Sequence, residues 1–251
     1  MAEINKKIPA IVLGAGRGTR MMHPELPKVL VAFRGRAMID YIVEAIEQSG
    51  VCAKPIVVVG YRQELVRDHL GDRVEYVIQR EQNGTGDAVG SARTNLEGTS
   101  DHVLVFYGDN PFIRPDTIAR FTQAHRRSNA VITLAVTTVP DFNGAYSSLE
   151  HYGRIVRTPD GAIAGIVEYK DANQQLRPHR ELNTMMYAFN ALWLWSHIGK
   201  IQNSNAQQEY LITDLVGMAV SEGAMVGTVP VPPEECYGIN SKEELQTLER
   251  L

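Results

Sequence analysis

The chain has 251 residues, with 25 Lys and Arg against 29 Asp and Glu, a formal net charge of −4. Hydrophobic residues make up 44% and charged residues 22%, near globular averages, so one large α/β domain, or a domain with a small appendage, can bury a core. The acidic balance gives no electrostatic case for a nucleic-acid partner, and no stretch approaches the ~20 apolar residues that span a bilayer, so no membrane partner is expected.

The first predicted element is a buried strand over Ile8 to Leu13. It runs into Leu13-Gly14-Ala15-Gly16-Arg17-Gly18-Thr19-Arg20, with Pro27 and Lys28 beyond. Lys6 and Lys7 ahead of the strand look superficially like a leader. Glu3 precedes them, however, and the apolar run is short and ends in the glycine motif, so no targeting segment is expected. The two cysteines, Cys52 and Cys236, lie far apart without metal-ligand spacing, which points to reduced thiols and a cytoplasmic location.

Apolar residues at helical spacing predict a helix over Ala37 to Gln48, closed by Gly50 as a left-handed cap. Ile56 to Val59 is a β-branched run that predicts a strand buried on both faces, with a short helix over Gln63 to Leu70 behind it. Val74 to Ile78 is a third strand. It leads into a second glycine-bearing loop, Gln79 to Ala88, and a helix through Val89, Ala92 and Leu96. Val103 to Tyr107 is a fourth strand, ending in Gly108-Asp109-Asn110-Pro111. A helix near Pro115 to Arg127 and a strand near Val131 to Val136 extend the sheet.

From there the pattern changes. Phe142 to Leu149 has no clear period, while Gly153 to Arg157 and Ile163 to Glu168 flank Pro159-Asp160-Gly161, which reads as a hairpin turn. Leu182 to Phe189 is a further strand, Tyr210 to Val220 an amphipathic helix and Met225 to Val229 a late strand. Ser241 with Glu244 three residues on is a capping box that opens the last helix.

Strands alternating with helices at these lengths predict a doubly wound, mainly parallel sheet with a Rossmann-like arrangement, whose ligands bind beyond the carboxyl ends of the strands. The second half predicts a small antiparallel insertion, suited to a second substrate. Accordingly, a single domain over 1–251 is expected, with a first part over about 1–139, a second over about 140–230, and 231–251 as a closing loop and helix.

Three glycines at alternate positions ahead of two cations suit a polyphosphate, because backbone N–H groups can approach an anion closely and Arg20 and Lys28 can neutralise it. Neither the dinucleotide fingerprint nor the ATPase-type loop fits: the third glycine comes one residue early, and no Gly-Lys-Ser/Thr follows. Asp109, after a glycine at a strand end, suits a hard carboxylate ligand for Mg²⁺ carried by phosphates.

Leu13, Gly16, Gly18, Thr19, Arg20, Met21, Pro27 and Lys28 resemble the signature of the sugar-phosphate nucleotidyltransferases. The later motifs sharpen this: Gln79 with Gly84-Thr85-Gly86, Tyr107-Gly108-Asp109, Tyr152 to Arg157, Ile166-Val167-Glu168, Glu181 to Thr184, Asn205-Ala206-Gln207 with Glu209-Tyr210, Thr213-Asp214 and Gly238-Ile239-Asn240. Together they are similar to the uridylyltransferase (pyrophosphorylase) domain of bacterial N-acetylglucosamine-1-phosphate uridylyltransferases, over nearly the whole chain.

The resemblance implies a Mg²⁺-dependent enzyme that joins UTP to N-acetylglucosamine 1-phosphate and releases pyrophosphate. It implies that Leu13, Gly14, Ala15, Gly16, Gly18 and Thr19 hold the nucleotide and its phosphates, that Gln79, Gly84 and Thr85 read the base, and that Tyr107 and Gly108 line the ribose side. Gly153, Glu168, Asn183 and Thr213 are implied at the sugar, Asp109 and Asn240 at Mg²⁺, and Arg20 and Lys28 as the catalytic cations.

The chain also departs from the pattern. Asp87 stands where relatives often carry histidine, Asn110 replaces an apolar residue, Met185 stands where the family usually has glycine, and the Phe142 to His151 connection is longer. These departures bear on the sugar and not on the transfer, and another sugar 1-phosphate or nucleotide is the alternative. A non-catalytic nucleotide-sugar sensor is a further one. No acetyl-transferring hexapeptide-repeat domain is expected in this chain.

Overall fold

A computed structural model describes residues 6–21, 23 and 25–250; Glu3, on which the expectation about a targeting segment drew, lies outside them. The elements in chain order are β1 (Ala10–Leu13), β2 (Ala32–Phe33), β3 (Arg36–Ala37), α1 (Met38–Ser49), β4 (Ile56–Val59), α2 (Gln63–Leu70) and β5 (Glu75–Ile78). They are followed by α3 (Thr85–Ser91), α4 (Arg93–Leu96), β6 (His102–Tyr107), α5 (Pro115–Arg127), β7 (Ile132–Thr138), β8 (Arg154–Arg157) and β9 (Ile163–Val167). The last are β10 (Glu181–Asn190), α6 (Ala191–His197), α7 (Asp214–Ser221), β11 (Val226–Pro230) and α8 (Lys242–Leu248).

Among the described residues nine strands form one sheet, whose main path runs β11-β7-β10-β6-β1-β4-β5. β1 pairs in parallel with both β4 and β6, β4 with β5, and β11 with β7. On this path only β10 is reversed, lying antiparallel between β6 and β7. The antiparallel character expected of the second half therefore has two sources. One is the β8–β9 hairpin, attached through Leu182 opposite Arg154; the other is β10, which enters the central sheet itself.

That reversal positions the site. The carboxyl ends of β1, β4, β5 and β6 share one rim, and the amino end of β10 comes to the same rim, bringing Asn183 beside the exits of the parallel strands.

Alternation along the strands divides the core in two. Val12, Val57, Leu104 and Phe106 face α1 and α5 through Met38, Ile42, Val43, Ile118 and Phe121. Ile11, Val58, Val103 and Val105 face α3, α6 and α7 through Val89, Leu194, Trp195, Leu215 and Val216. β4 is buried on both faces, as its unbroken β-branched run requires. α5 opens with Pro115 at its first position, and α1 ends on Gly50 at φ +66°.

Several elements differ from expectation. The helix expected from Tyr210 begins only at Asp214, because the backbone of Tyr210 bonds to Asn83 and Gly86 and the Ile212 N–H bonds to the Thr85 hydroxyl. The helix expected through Leu96 breaks at Ala92 into α3 and α4. Gly144–His151, without period in the sequence, is a 3-10 helix, and α6 starts directly from β10 with the Asn190 side chain accepting from the Trp193 N–H at 2.9 Å. Among the described residues no helix is long and apolar enough to cross a membrane.

Candidate active site

The glycine-rich loop leaves β1 with the Gly14 N–H donating to the Val58 carbonyl at 2.9 Å. The carbonyls of Ala15 and Gly16 accept from the N–H groups of Tyr61 and Lys28. Among the described residues, the N–H groups of Ala15, Gly16 and Arg17 meet no protein acceptor, which leaves three donors in succession for an anion. Gly18 cannot be replaced without strain: its φ is +66°, and a Cβ there would lie 2.7 Å from the Lys28 Cβ. This close crossing returns the chain to the loop at Lys28.

Lys28 is where distant parts of the chain converge. Its ammonium donates to Asp109 Oδ2 and, at 2.7 Å, to Asn240 Oδ1. Asp109 is brought there by β6, and Asn240 by a loop whose Ile239 N–H donates to the Asp109 carbonyl at 3.0 Å. The helix that follows secures Asn240. The Ser241 hydroxyl accepts from the Glu244 N–H, as a capping box requires, but the Glu244 carboxylate reaches one residue further back, to the Asn240 N–H at 2.6 Å.

Asp109 and Asn240 thus already share one positive charge, while Asp109 Oδ1 is buried with no protein partner among the described residues. A hard divalent cation suits such a donor set. No group of three or more His, Cys, Asp or Glu able to hold a metal occurs among the described residues, so an ion here depends on ligand phosphates and water for the rest of its shell.

Two cavities flank this junction and meet at Thr85, Tyr107 and Glu209. The smaller, about 350 Å³, is bounded on one side by Leu13, Gly14, Ala15, Gly16, Gly18 and Thr19, and on the other by Gln79, Gly84, Thr85 and Tyr107. Lys28 and Asp109 close its end. Gly108 is not part of this wall: it is buried beneath it, its N–H donating to the Leu13 carbonyl. The larger cavity, about 510 Å³, gathers Gly153, Glu168, Asn183 and Thr213, together with Asn240 and Arg20. The structure therefore divides the two predicted cations, with Lys28 on the smaller cavity and Arg20 on the larger.

Side-chain networks fix the polar groups. The amide of Gln79 is buried and donates to the Gly84 carbonyl at 3.0 Å and to Asp87 at 2.7 Å, so Asp87 has a definite partner. Asn183 donates to the Tyr187 hydroxyl at 2.7 Å. The Thr213 hydroxyl donates to Glu168 at 3.0 Å. Burial raises the Glu168 pKa above the usual carboxylate range; the Thr213 bond opposes the shift, and the charges of Asp214 and Asp171 add to it. Burial likewise pushes the Tyr107 and Tyr187 hydroxyls well above the usual phenol value.

Sequence reasoning missed two parts of the site. One is a clasp from Asn205 to Tyr210. The Asn205 side chain donates to the Glu209 carbonyl at 2.6 Å and accepts from the N–H groups of Gln207 and Glu209. Tyr210 then pairs with Asn83 and Gly86, and the Ala206 N–H donates to Asp171 at 3.0 Å, so the clasp joins both cavities. Its seat depends on Gly84, at φ +118°, where a Cβ would come within 2.5 Å of the Tyr210 carbonyl.

The other missed part is the staple beneath the larger cavity. Arg154 is fully buried, and its guanidinium donates to the carbonyls of Glu150, Tyr152 and Arg177. The Tyr152 hydroxyl donates to the Cys236 carbonyl at 2.9 Å and accepts from the Gly238 N–H at 2.6 Å. Both residues lie in a quoted motif, but only the folded chain shows what they hold. Asn110 has a similar explanation: it is buried and donates to the Glu235 carbonyl at 3.0 Å.

A mainly parallel sheet with a donor-rich glycine loop and a carboxylate-amide pair at its rim defines a nucleotide-binding α/β domain built for phosphate chemistry. The chain belongs to the MobA-like NTP transferase domain family, whose profile matches residues 10–159. It is similar to the bifunctional protein GlmU of Geobacter metallireducens, with 38% identity over 241 residues, 95% of this chain and 49% of that one. The likeness to the GlmU of Anaeromyxobacter sp. is 41% over 244 residues, 95% of this chain and 47% of that one. The chain thus spans about half the length of these curated relatives. Its fold resembles that of a structure from Bacillus anthracis described as a glucose-1-phosphate thymidylyltransferase in complex with sucrose. The TM-score is 0.75 and the identity 18%, with 97% of this chain and 94% of that one covered.

Proposed function

We propose that the protein transfers the uridylyl group of UTP to N-acetylglucosamine 1-phosphate, giving UDP-N-acetylglucosamine and pyrophosphate. The observation that carries this reading is the convergence of Asp109 and Asn240 on Lys28 at the junction of two cavities. Two phosphorylated substrates that meet there bring their phosphates to one cationic point.

In this reading residues 1–139 serve the nucleotide, 140–230 the sugar, and 231–251 supply Asn240 and its helix. The free N–H groups of Ala15, Gly16 and Arg17 bind the triphosphate, and Gln79, Gly84 and Thr85 meet the base. Tyr107 lines the ribose side. Gly153, Glu168, Asn183 and Thr213 orient the sugar. An oxygen of the sugar phosphate then forms a bond to the α-phosphorus as the bond from that phosphorus to the bridging oxygen breaks, and the electron pair leaves with pyrophosphate.

No nucleophilic side chain is needed, since such a reaction rests on alignment and charge neutralisation. Lys28 and Arg20 approach the reacting phosphates from opposite cavities, so developing charge is met on both sides. Asp109 and Asn240 would hold a Mg²⁺ ion, which when bound neutralises phosphate charge and aligns the two groups.

The test is pyrophosphate release from UTP with N-acetylglucosamine 1-phosphate, with glucose 1-phosphate and the other nucleoside triphosphates run in parallel. Mg²⁺-dependent release with the first pair is the expected result. Release confined to another pair reassigns the substrates, and nucleotide binding with no turnover on any acceptor identifies a sensor.

A further inference from the structure

Met185 has a backbone conformation that its side chain disfavours. Its φ is +62°, in the left-handed region, and it lies in the bulge of β10 where the register against β7 shifts between Asn183 and Tyr187. Its neighbours are fixed: the Thr184 hydroxyl donates to the Ala135 carbonyl at 2.8 Å, and Asn183 bonds to Tyr187. A glycine would adopt this backbone without penalty. A long apolar side chain is held there instead, and it lines the larger cavity.

Its position within that cavity is informative. The Met185 methyl carbon lies 3.3 Å from the point a Cβ on Gly238 would occupy, and Asn240 Nδ2 lies 3.6 Å from the same point. The methyl end of Met185 and the Asn240 amide therefore both border Gly238, toward the end of the cavity next to the Lys28 junction, with Asn183 two residues before Met185 in the chain. In a sugar 1-phosphate, the ring substituent nearest the phosphate is the one on carbon 2.

We infer that Met185 determines acceptor specificity by packing its thioether against the substituent on carbon 2 of the sugar 1-phosphate, favouring a short apolar acyl group there and excluding longer ones. This rests on the proposed sugar-phosphate transfer and deepens it. Methionine suits the role because its flexible, polarisable side chain conforms to a small apolar group. Strain retained at a cavity wall is accounted for when the strained residue does work on the ligand.

The experiment compares kcat/KM for N-acetyl-, N-propionyl- and N-butyrylglucosamine 1-phosphate, and for glucose 1-phosphate, in the wild type and in Met185→Gly and Met185→Leu. In Met185→Gly the ratio of N-butyryl to N-acetyl acceptor is expected to rise by about 10-fold or more, as an extra methylene or two becomes accommodated. The KM for UTP should stay unchanged, and Met185→Leu should keep the wild-type ratio. An unchanged ratio in Met185→Gly, with the wild type active, overturns the inference and leaves the transfer intact. A wild type that releases no pyrophosphate with any sugar 1-phosphate overturns the proposed function, and this inference with it.

Discussion

The two cavities are built in opposite ways. The smaller is largely a backbone object: the glycine-rich turn from Gly14 to Gly18 supplies its N–H donors, and a second loop at Gly84 faces it. The larger is a side-chain object, with Arg20, Glu168, Asn183, Thr213 and Asn240 each arriving from a different segment. In the proposed reaction the triphosphate tail is common to all nucleoside triphosphates, so a fixed backbone cradle can serve it. Sugars differ in their substituents, and a wall assembled from separate side chains can be altered at one position without disturbing the rest.

The comparison predicts distinct failures on the two sides. The largest effect is expected at the junction they share: Lys28→Ala should lower kcat by about two to three orders of magnitude while the circular dichroism spectrum stays native. Arg20→Ala should act in the same direction. A wild-type rate in either variant would remove that cation from the mechanism.

Arg154→Met should separate the sides. It leaves the carbonyls of Glu150, Tyr152 and Arg177 without the guanidinium, in a buried place, and should destabilise the protein by roughly 3 kcal/mol in urea unfolding. The KM for the sugar phosphate should rise while that for UTP holds. A parallel rise in both would show that the two cavities are not independently supported.

A smaller effect, felt by both sides equally, is expected from acid. His125 is fully buried between His102, at 3.1 Å, and the Thr133 hydroxyl, at 2.8 Å. Burial, with the neighbouring His102, lowers its pKa to about 4, and burial lowers that of His102 too, against the nearby charge of Asp101 and with that of Arg126. Between an unfolded value near 6.5 and about 4 the unfolded chain binds more protons, so stability rises with pH across that window and falls on acidification. From pH 7 to pH 5 His125 should account for a loss of about 2 kcal/mol, seen as a drop in melting temperature that His125→Gln reduces. An equal drop in that variant would assign the acid sensitivity elsewhere.

The same contrast explains what the sequence made legible. β4, α2 and α5 fall at their expected bounds because burial periodicity, a leading proline and flanking loops are local signals. The glycine loop was readable for the same reason. The reversal of β10 between β6 and β7 was not, since strand order depends on long-range pairings, those to β6 across more than 80 residues, that leave no local pattern. The start of α7 shifted because a distant loop claimed the Tyr210 backbone, and the roles of Arg154 and the Asn205 clasp lie in bonds to carbonyls, which carry no residue identity. Of the departures from the family pattern, Asp87 and Asn110 acquire hydrogen-bond partners in the fold. Met185 acquires strain instead.

The Tyr152 hydroxyl joins the segment leading into the hairpin at the larger cavity to the loop that carries Asn240, by one bond in each direction. Under the proposed function, a displacement of the hairpin on acceptor binding would be passed to Asn240, and through it to Lys28. Arrival of the proposed second substrate would then act as a mechanical signal at the point where charge must be neutralised, and Tyr152→Phe is expected to uncouple tight acceptor binding from fast turnover.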